Sequence, residues 1–184
     1  MKDPVYEELG VFTDGELQPA GTTEVAILTV DKCNINDCSL TINPTSCPYT
    51  GTAREPIITL KHGDTTLVEN GDYIVQYSNN TEVGTGHVTI FGQGNYTGTT
   101  SGDFTITKAP RNIEVTCESN IFYGMSVTFD FSYTGEVAEP QIVSNDENVF
   151  TAVIDGSSIT VTPTGVGVGS FTLTIPETEH YAVG

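Results

Sequence analysis

The chain has 184 residues and a formal net charge of −18, from 24 Asp+Glu against six Lys+Arg. Its length fits one large domain or two small ones, and its 37% hydrophobic content suits small sandwiches, in which only alternate strand residues point inward. The charge argues against nucleic acid and against anionic membrane surfaces, since both are held by Lys and Arg, and no window approaches the ~18 consecutive apolar residues of a membrane span.

The N-terminus, "MKDPVYEELG", lacks the apolar stretch of a signal peptide. It reads as a trimmed chain or as a product that begins in the cytoplasm. "DPVYEELGVF" is the one helical candidate, and Gly10 breaks it early. Everything after it alternates with period two and is rich in Val, Ile, Thr, Tyr and Phe. The predicted strands are Glu24–Asp31, Ser39–Asn43, Glu55–His62, Asp72–Ser78, Gly86–Gly92 and Gly102–Lys108. After Pro110 come Asn112–Glu118, Ser126–Tyr133, Glu139–Ser144, Phe150–Asp155, Ser158–Pro163 and Gly169–Pro176.

Gly, Asn and Asp separate these runs, where positive φ is easiest. Asp155-Gly156 reads as a two-residue hairpin. Lys108-Ala109-Pro110-Arg111 reads as a short stiff joint, because proline fixes φ and cannot donate to a ladder. Alternation also predicts the inward faces: Tyr73, Val75 and Tyr77; Val88 and Ile90; Phe104 and Ile106. Beyond the joint they are Val127, Phe129 and Phe131; Phe150, Ala152 and Ile154 or their neighbours; Ile159 and Val161; and Phe171, Leu173 and Ile175.

Motifs that carry chemistry are scarce. There is no G-x-S-x-G, H-E-x-x-H or P-loop. "GVGVG" (Gly165–Gly169) lies between strands and leads into no helix, so it reads as a turn. Cys33, Cys38, Cys47 and Cys117 leave three readings open: free thiols, a local disulfide, or zinc with no histidine nearby in sequence. His62 and His87 would pair if their strands were neighbours, and exposed or satisfied histidines are the simpler reading. His180 carries no signal.

Asn145–Asn148 and Asp72 near Glu69 are oxygen-rich turns without the spacing of a calcium loop. None of Lys2, Lys32, Lys61 and Lys108 sits centrally on an apolar strand face beside an acid, as an isopeptide bond would need. Tyr49, Tyr96 and Tyr133 recur in "YTG" triplets. They read as strand-end rings packed on a core with wet hydroxyls rather than as a sugar platform. No catalytic, cofactor-binding or metal-ligating residue is therefore predicted.

The stretch Pro48–Ile106 resembles a repeat common in bacterial surface proteins. The shared features run in order: Tyr49-Thr50-Gly51, Pro56, Gly71-Asp72-Tyr73, Asn79-Asn80, Val83-Gly84 and Gly92-Gln93-Gly94-Asn95-Tyr96-Thr97-Gly98. Residues 111–184 resemble the bacterial immunoglobulin-like (Big) domains. The resemblance rests on Ser144, Asp146 and Val149, on Asp155-Gly156, on Gly167 and Gly169, and on Tyr181.

Together these resemblances imply an all-β chain of two tandem immunoglobulin-like β-sandwiches, residues 38–109 and 110–184, behind an extended N-terminal arm, residues 1–37. They imply display and contact, not catalysis, and no cofactor. Such modules occur on bacterial cell surfaces and on phage capsid, tail and decoration proteins. The expected setting is the virion surface. There the arm would dock on a capsid or tail assembly, and the sandwiches would touch host surface carbohydrate or form homo-oligomers. A fragment of a secreted or cell-surface adhesin is the alternative, and an accessory module of a carbohydrate-active enzyme is a third reading. Nucleic acid and membrane insertion are not expected.

Overall fold

The computed structural model describes residues 29–117 and 120–184, together with the backbone of 12–13 and 16–17. The chain divides into two units, Met1–Lys32 and Cys33–Gly184. In the first, β1 (Phe12–Thr13) pairs antiparallel with β2 (Glu16–Leu17). The helical candidate falls outside the described residues apart from Phe12. So does most of the predicted strand Glu24–Asp31, whose described end, Thr29–Asp31, is not strand.

The second unit is all-β and sandwich-like, and its single helical turn among the described residues is a 3-10 turn, Ile35–Asp37. A first group of strands comprises β3 (Cys33–Asn34), β4 (Ser39–Asn43), β5 (Ser46–Pro48), β6 (Ile57–His62), β7 (Thr65–Thr66), β8 (Tyr73–Ser78), β9 (Gly84–Gly92), β10 (Tyr96–Thr97) and β11 (Thr99–Thr107). They form a sheet β5-β11-β9-β8, a sheet β4-β6-β7 and a short parallel pair β3-β10. A second group comprises β12 (Ile113–Val115), β13 (Val127–Tyr133), β14 (Gln141–Ser144), β15 (Phe150–Asp155), β16 (Ser158–Pro163) and β17 (Phe171–Thr174). These give a sheet β12-β13-β16-β15 and a two-stranded sheet β14-β17.

Alternation builds both cores. In the first group Ile35, Ile58, Leu60, Leu67, Tyr73, Val88 and Ile90 are buried together, and Cys47, Phe104 and Ile106 form a neighbouring cluster. In the second, Phe131, Ile159, Val161 and Ile175 are buried, and Phe129, Phe150, Phe171 and Leu173 pack on them half-buried. Each fully buried Val, Leu, Ile or Phe contributes roughly 1.5–3 kcal/mol.

The β15–β16 turn is shifted by one residue from the expected Asp155-Gly156. Asp155 pairs with Ser158, so the loop is Gly156–Ser157, with Gly156 at φ 62°. Positive φ falls on the residue without a Cβ, which sets the register.

Gly86 lies opposite Phe104 in the β9–β11 ladder, and a Cβ there would fall inside the Phe104 ring. The missing side chain lets the ring lie flat over the strand. Gly86→Val is expected to cost about 1–3 kcal/mol by overpacking, measured as a lower urea midpoint at unchanged slope.

Candidate functional site

The densest polar chemistry among the described residues lies where the two strand groups meet. The joint is not free. Ala109 N–H donates to the His180 carbonyl at 2.8 Å, and Ala182 N–H donates to the Ala109 carbonyl at 2.9 Å. The C-terminal segment thus runs beside the joint as a parallel bridge, Ala109 with Tyr181.

Arg111 is 8% exposed. Its Nε donates to the Ala182 carbonyl (3.2 Å) and one terminal nitrogen donates to the carbonyls of Thr134 (3.0 Å) and Glu136 (2.9 Å). The other terminal nitrogen donates to Thr178 Oγ1 at 2.9 Å. Its guanidinium lies 5.4 Å from the Tyr133 ring centre and 5.3 Å from that of Tyr181. A planar fork suits this site: it satisfies several carbonyls at once and stacks on aromatic faces.

Beside it, His180 lies between two carboxylates, one from each strand group. Its Nε2 is 2.6 Å from Glu82 and its Nδ1 is 2.5 Å from Glu136. Tyr49, from the first group, stacks on the imidazole at 4.2 Å and meets Tyr181 edge-on at 6.3 Å. Gly135, at φ 97°, leaves room for the Tyr181 ring, which any Cβ there would enter.

The hydrogen bond from His180 holds Glu136 at about 2, with Thr178 adding to the effect. His180 is pushed up, first by its bond to Glu136 and then by its bond to Glu82. Desolvation, then the nearby Glu82 and Glu136, raises Tyr49. A raised imidazole stabilises below its ordinary 6.5, and that stability is lost as pH rises through its higher folded value. A depressed carboxyl stabilises above its ordinary 4.5, and that stability is lost as pH falls towards about 2. The seam is therefore expected to be firmest between about 4.5 and 6.5. Thermal unfolding across pH 3–9 checks this: the midpoint should fall on both sides of that window, and His180→Phe should remove the alkaline fall.

The residues singled out in the sequence are placed otherwise. His62 and His87 do not pair. The His62 ring is 3.6 Å from Cys33 Sγ, and His87 Nδ1 is 2.6 Å from Asp103. Ser78, His87 and Asp103 stand in one cross-strand row on β8, β9 and β11. No hydrogen bond joins Ser78 to His87, and the row lies on an exposed strand face, side-chain exposures being 41% for His87 and 64% for Asp103.

All four cysteines are free thiols, Cys47 buried and Cys117 exposed. Burial, then Cys33 and Asp37, pushes the Cys38 thiol up. Asp146 Oδ1 accepts from Asn148 N–H and Asp72 Oδ2 from Val68 N–H, so both acidic turns cap their own backbone. Lys108 meets Glu177 at 3.1 Å on the surface. Of the "YTG" tyrosines, Tyr49 stacks on His180, Tyr96 meets the His62 ring edge-on, and Tyr133 exchanges hydrogen bonds with the backbone of Ala138. Gly165–Gly169 lines a cavity of about 540 Å³ with Phe129, Phe150 and Phe171.

The sequence reading missed the seam. The available signal was scarcity: Arg111 is the sole Lys or Arg after Lys108, and a lone cation in an acidic segment is a candidate for a structural partner. His180 and Glu82 are 98 residues apart, and no local period connects them. Neither a family model, nor a curated protein, nor a solved structure matches this chain.

Proposed function

We propose that the chain is a non-enzymatic structural display protein. In this reading it consists of two tandem immunoglobulin-like β-sandwiches, residues 38–109 and 110–184, behind an N-terminal arm of residues 1–37, of which Cys33–Asp37 belong with the first sandwich through β3 and the buried Ile35. One observation carries the reading: His180 bridges Glu82 and Glu136, one from each strand group, and the backbone of Ala109 is bonded to the C-terminal segment that carries it. A joint so fastened serves a spacer that must hold its binding ends at a fixed separation. The Ser78–His87–Asp103 row is surface decoration in this account: it lies on an exposed strand face, with no hydrogen bond from Ser78 to His87.

The setting that fits an acidic, protein-docking spacer of this resemblance is a virion decoration or fibre-like component. The arm holds the capsid or tail assembly, and the sandwiches make weak contacts with host surface polymers. Mass spectrometry of purified particles and of washed cell envelopes tests this. Peptides stoichiometric with capsid protein support it. Peptides confined to envelopes replace it with the adhesin reading. Polysaccharide turnover abolished by His87→Ala would end the non-enzymatic claim.

A further inference from the structure

The hydrogen-bond and ring contacts described between the strand groups converge on two neighbouring side chains. From the first group, Glu82 in the β8–β9 loop reaches His180, and Tyr49 after β5 reaches His180 and Tyr181. The backbone crosses at Lys108. Thr107 belongs to the first group, its carbonyl accepting from Tyr49 N–H at 2.8 Å. Ala109 belongs to the second, bonded through its N–H and C=O to His180 and Ala182. Lys108 is thus the single residue between two fastened neighbours, and its ammonium meets Glu177 at 3.1 Å.

Proton counting sets the state of the His180 ring. An ionised carboxylate only accepts hydrogen bonds. Nδ1 is 2.5 Å from Glu136 and Nε2 is 2.6 Å from Glu82. Both nitrogens must therefore donate, and only the imidazolium carries two N–H groups. A neutral ring has one proton for two carboxylates, and the two sides are unequal. Glu136 also accepts the backbone N–H of His180 at 3.2 Å, and Thr178 supports it further. Glu82 is 69% exposed and has no second hydrogen-bond partner among the described residues. A bare Nε2 facing its oxygen sets two acceptors against each other, and Glu82 has water to turn to. The surrounding charges push the same way. Glu179 joins Glu82 and Glu136 around the Tyr49 hydroxyl, and Arg111 spends its donors on Ala182, Thr134, Glu136 and Thr178. Once the ring is neutral, these carboxylates stand around it without its positive charge.

We infer that His180 is a proton-operated latch between the strand groups: doubly protonated, it holds them in one orientation, and on losing the Nε2 proton to solvent it releases Glu82 and frees the chain to swivel at Lys108. The inference rests on the fixed joint proposed above and adds a second state to it. The Ala109 bonds and the Arg111 fork lie within the second group and its joint, so both groups stay folded when the latch opens. The stack of Tyr49 on the imidazole is by itself a weak tie. The latch is closed below the ordinary imidazole value of 6.5 and opens as pH rises through the higher folded value.

Carbonyl-detected residual dipolar couplings of the full chain at pH 5.5 and pH 9.0 test this. They are fitted separately for residues 38–109 and 110–184, and nitrogen-15 NMR follows the His180 ring. One alignment tensor is expected at pH 5.5 and two at pH 9.0, the ring passing from imidazolium to the Nδ1–H tautomer above pH 6.5. Glu82→Gln should keep one tensor at both pH values, because its amide accepts from a protonated Nε2 and donates to a bare one. One tensor at pH 9.0 in the unaltered protein, two in Glu82→Gln at pH 9.0, or an Nε2–H tautomer in the alkaline form would overturn the latch and leave the fixed joint standing. Two tensors already at pH 5.5 in the unaltered protein would overturn the fixed joint, and the latch with it.

Discussion

Arg111→Ala is expected to destabilise the second strand group by about 3–5 kcal/mol. The guanidinium makes four hydrogen bonds, three of them to the carbonyls of Ala182, Thr134 and Glu136. Alanine leaves these acceptors inside the seam without a donor, at a cost of about 1–3 kcal/mol for each that water cannot reach. It also removes a cation packed between Tyr133 and Tyr181. The contributions act through one group and do not add. For a cooperative unit the size of Cys33–Gly184 the melting transition should fall by at least about 6 °C. Arg111→Lys keeps the charge but not the fork, and an intermediate loss of about 2 kcal/mol is expected. Urea unfolding of the three proteins measures the order. A loss below about 1 kcal/mol for alanine would mean that the buried cation does not hold the C-terminal segment to the second strand group.

Phe104→Ala is expected to cost the first strand group about 3–5 kcal/mol. Phe104 is 2% exposed and meets Tyr77 edge-on at 6.3 Å and 81°. Alanine empties a site walled by a rigid sheet, which collapses only partly. The facing Gly86 gives a second reading of the same site. If the ring is what excludes a side chain there, Gly86→Val should cost less in the Phe104→Ala background than alone. The coupling should have the sign of relief, of order 0.5–3 kcal/mol. Chemical unfolding of the four-member cycle decides it, and strict additivity would contradict the packing described.

Much of the fold was legible because alternation is a local signal. Ser39–Asn43, Phe150–Asp155 and Ser158–Pro163 are strands with the expected bounds. Tyr73, Val88, Ile90, Phe104, Ile106, Phe131, Ile159, Val161 and Ile175 are buried on the expected faces. Glycine misled at one boundary. The predicted strand Gly86–Gly92 starts two residues late: β9 begins at Gly84, and an aromatic on the partner strand fills the space that Gly86 leaves. Short parallel pairings were illegible: Ser46–Pro48 carries a proline and pairs with β11 almost sixty residues away.

The seam was illegible for the same reason. Glu82, Glu136 and His180 meet only after both strand groups have formed. Pro110 was read for its stiffness, yet the joint is fixed chiefly by the backbone bonds of Ala109 to the C-terminal segment.

The most direct test of the account is whether the two strand groups move as one. Residual dipolar couplings of backbone amides at pH 5.5, fitted separately for residues 38–109 and 110–184, measure it. One alignment tensor is expected for both sets, splitting in His180→Ala, which removes the contacts to Glu82 and Tyr49 across the seam. Two distinct tensors in the unaltered protein would contradict it, because the seam would then be too weak to hold a fixed separation.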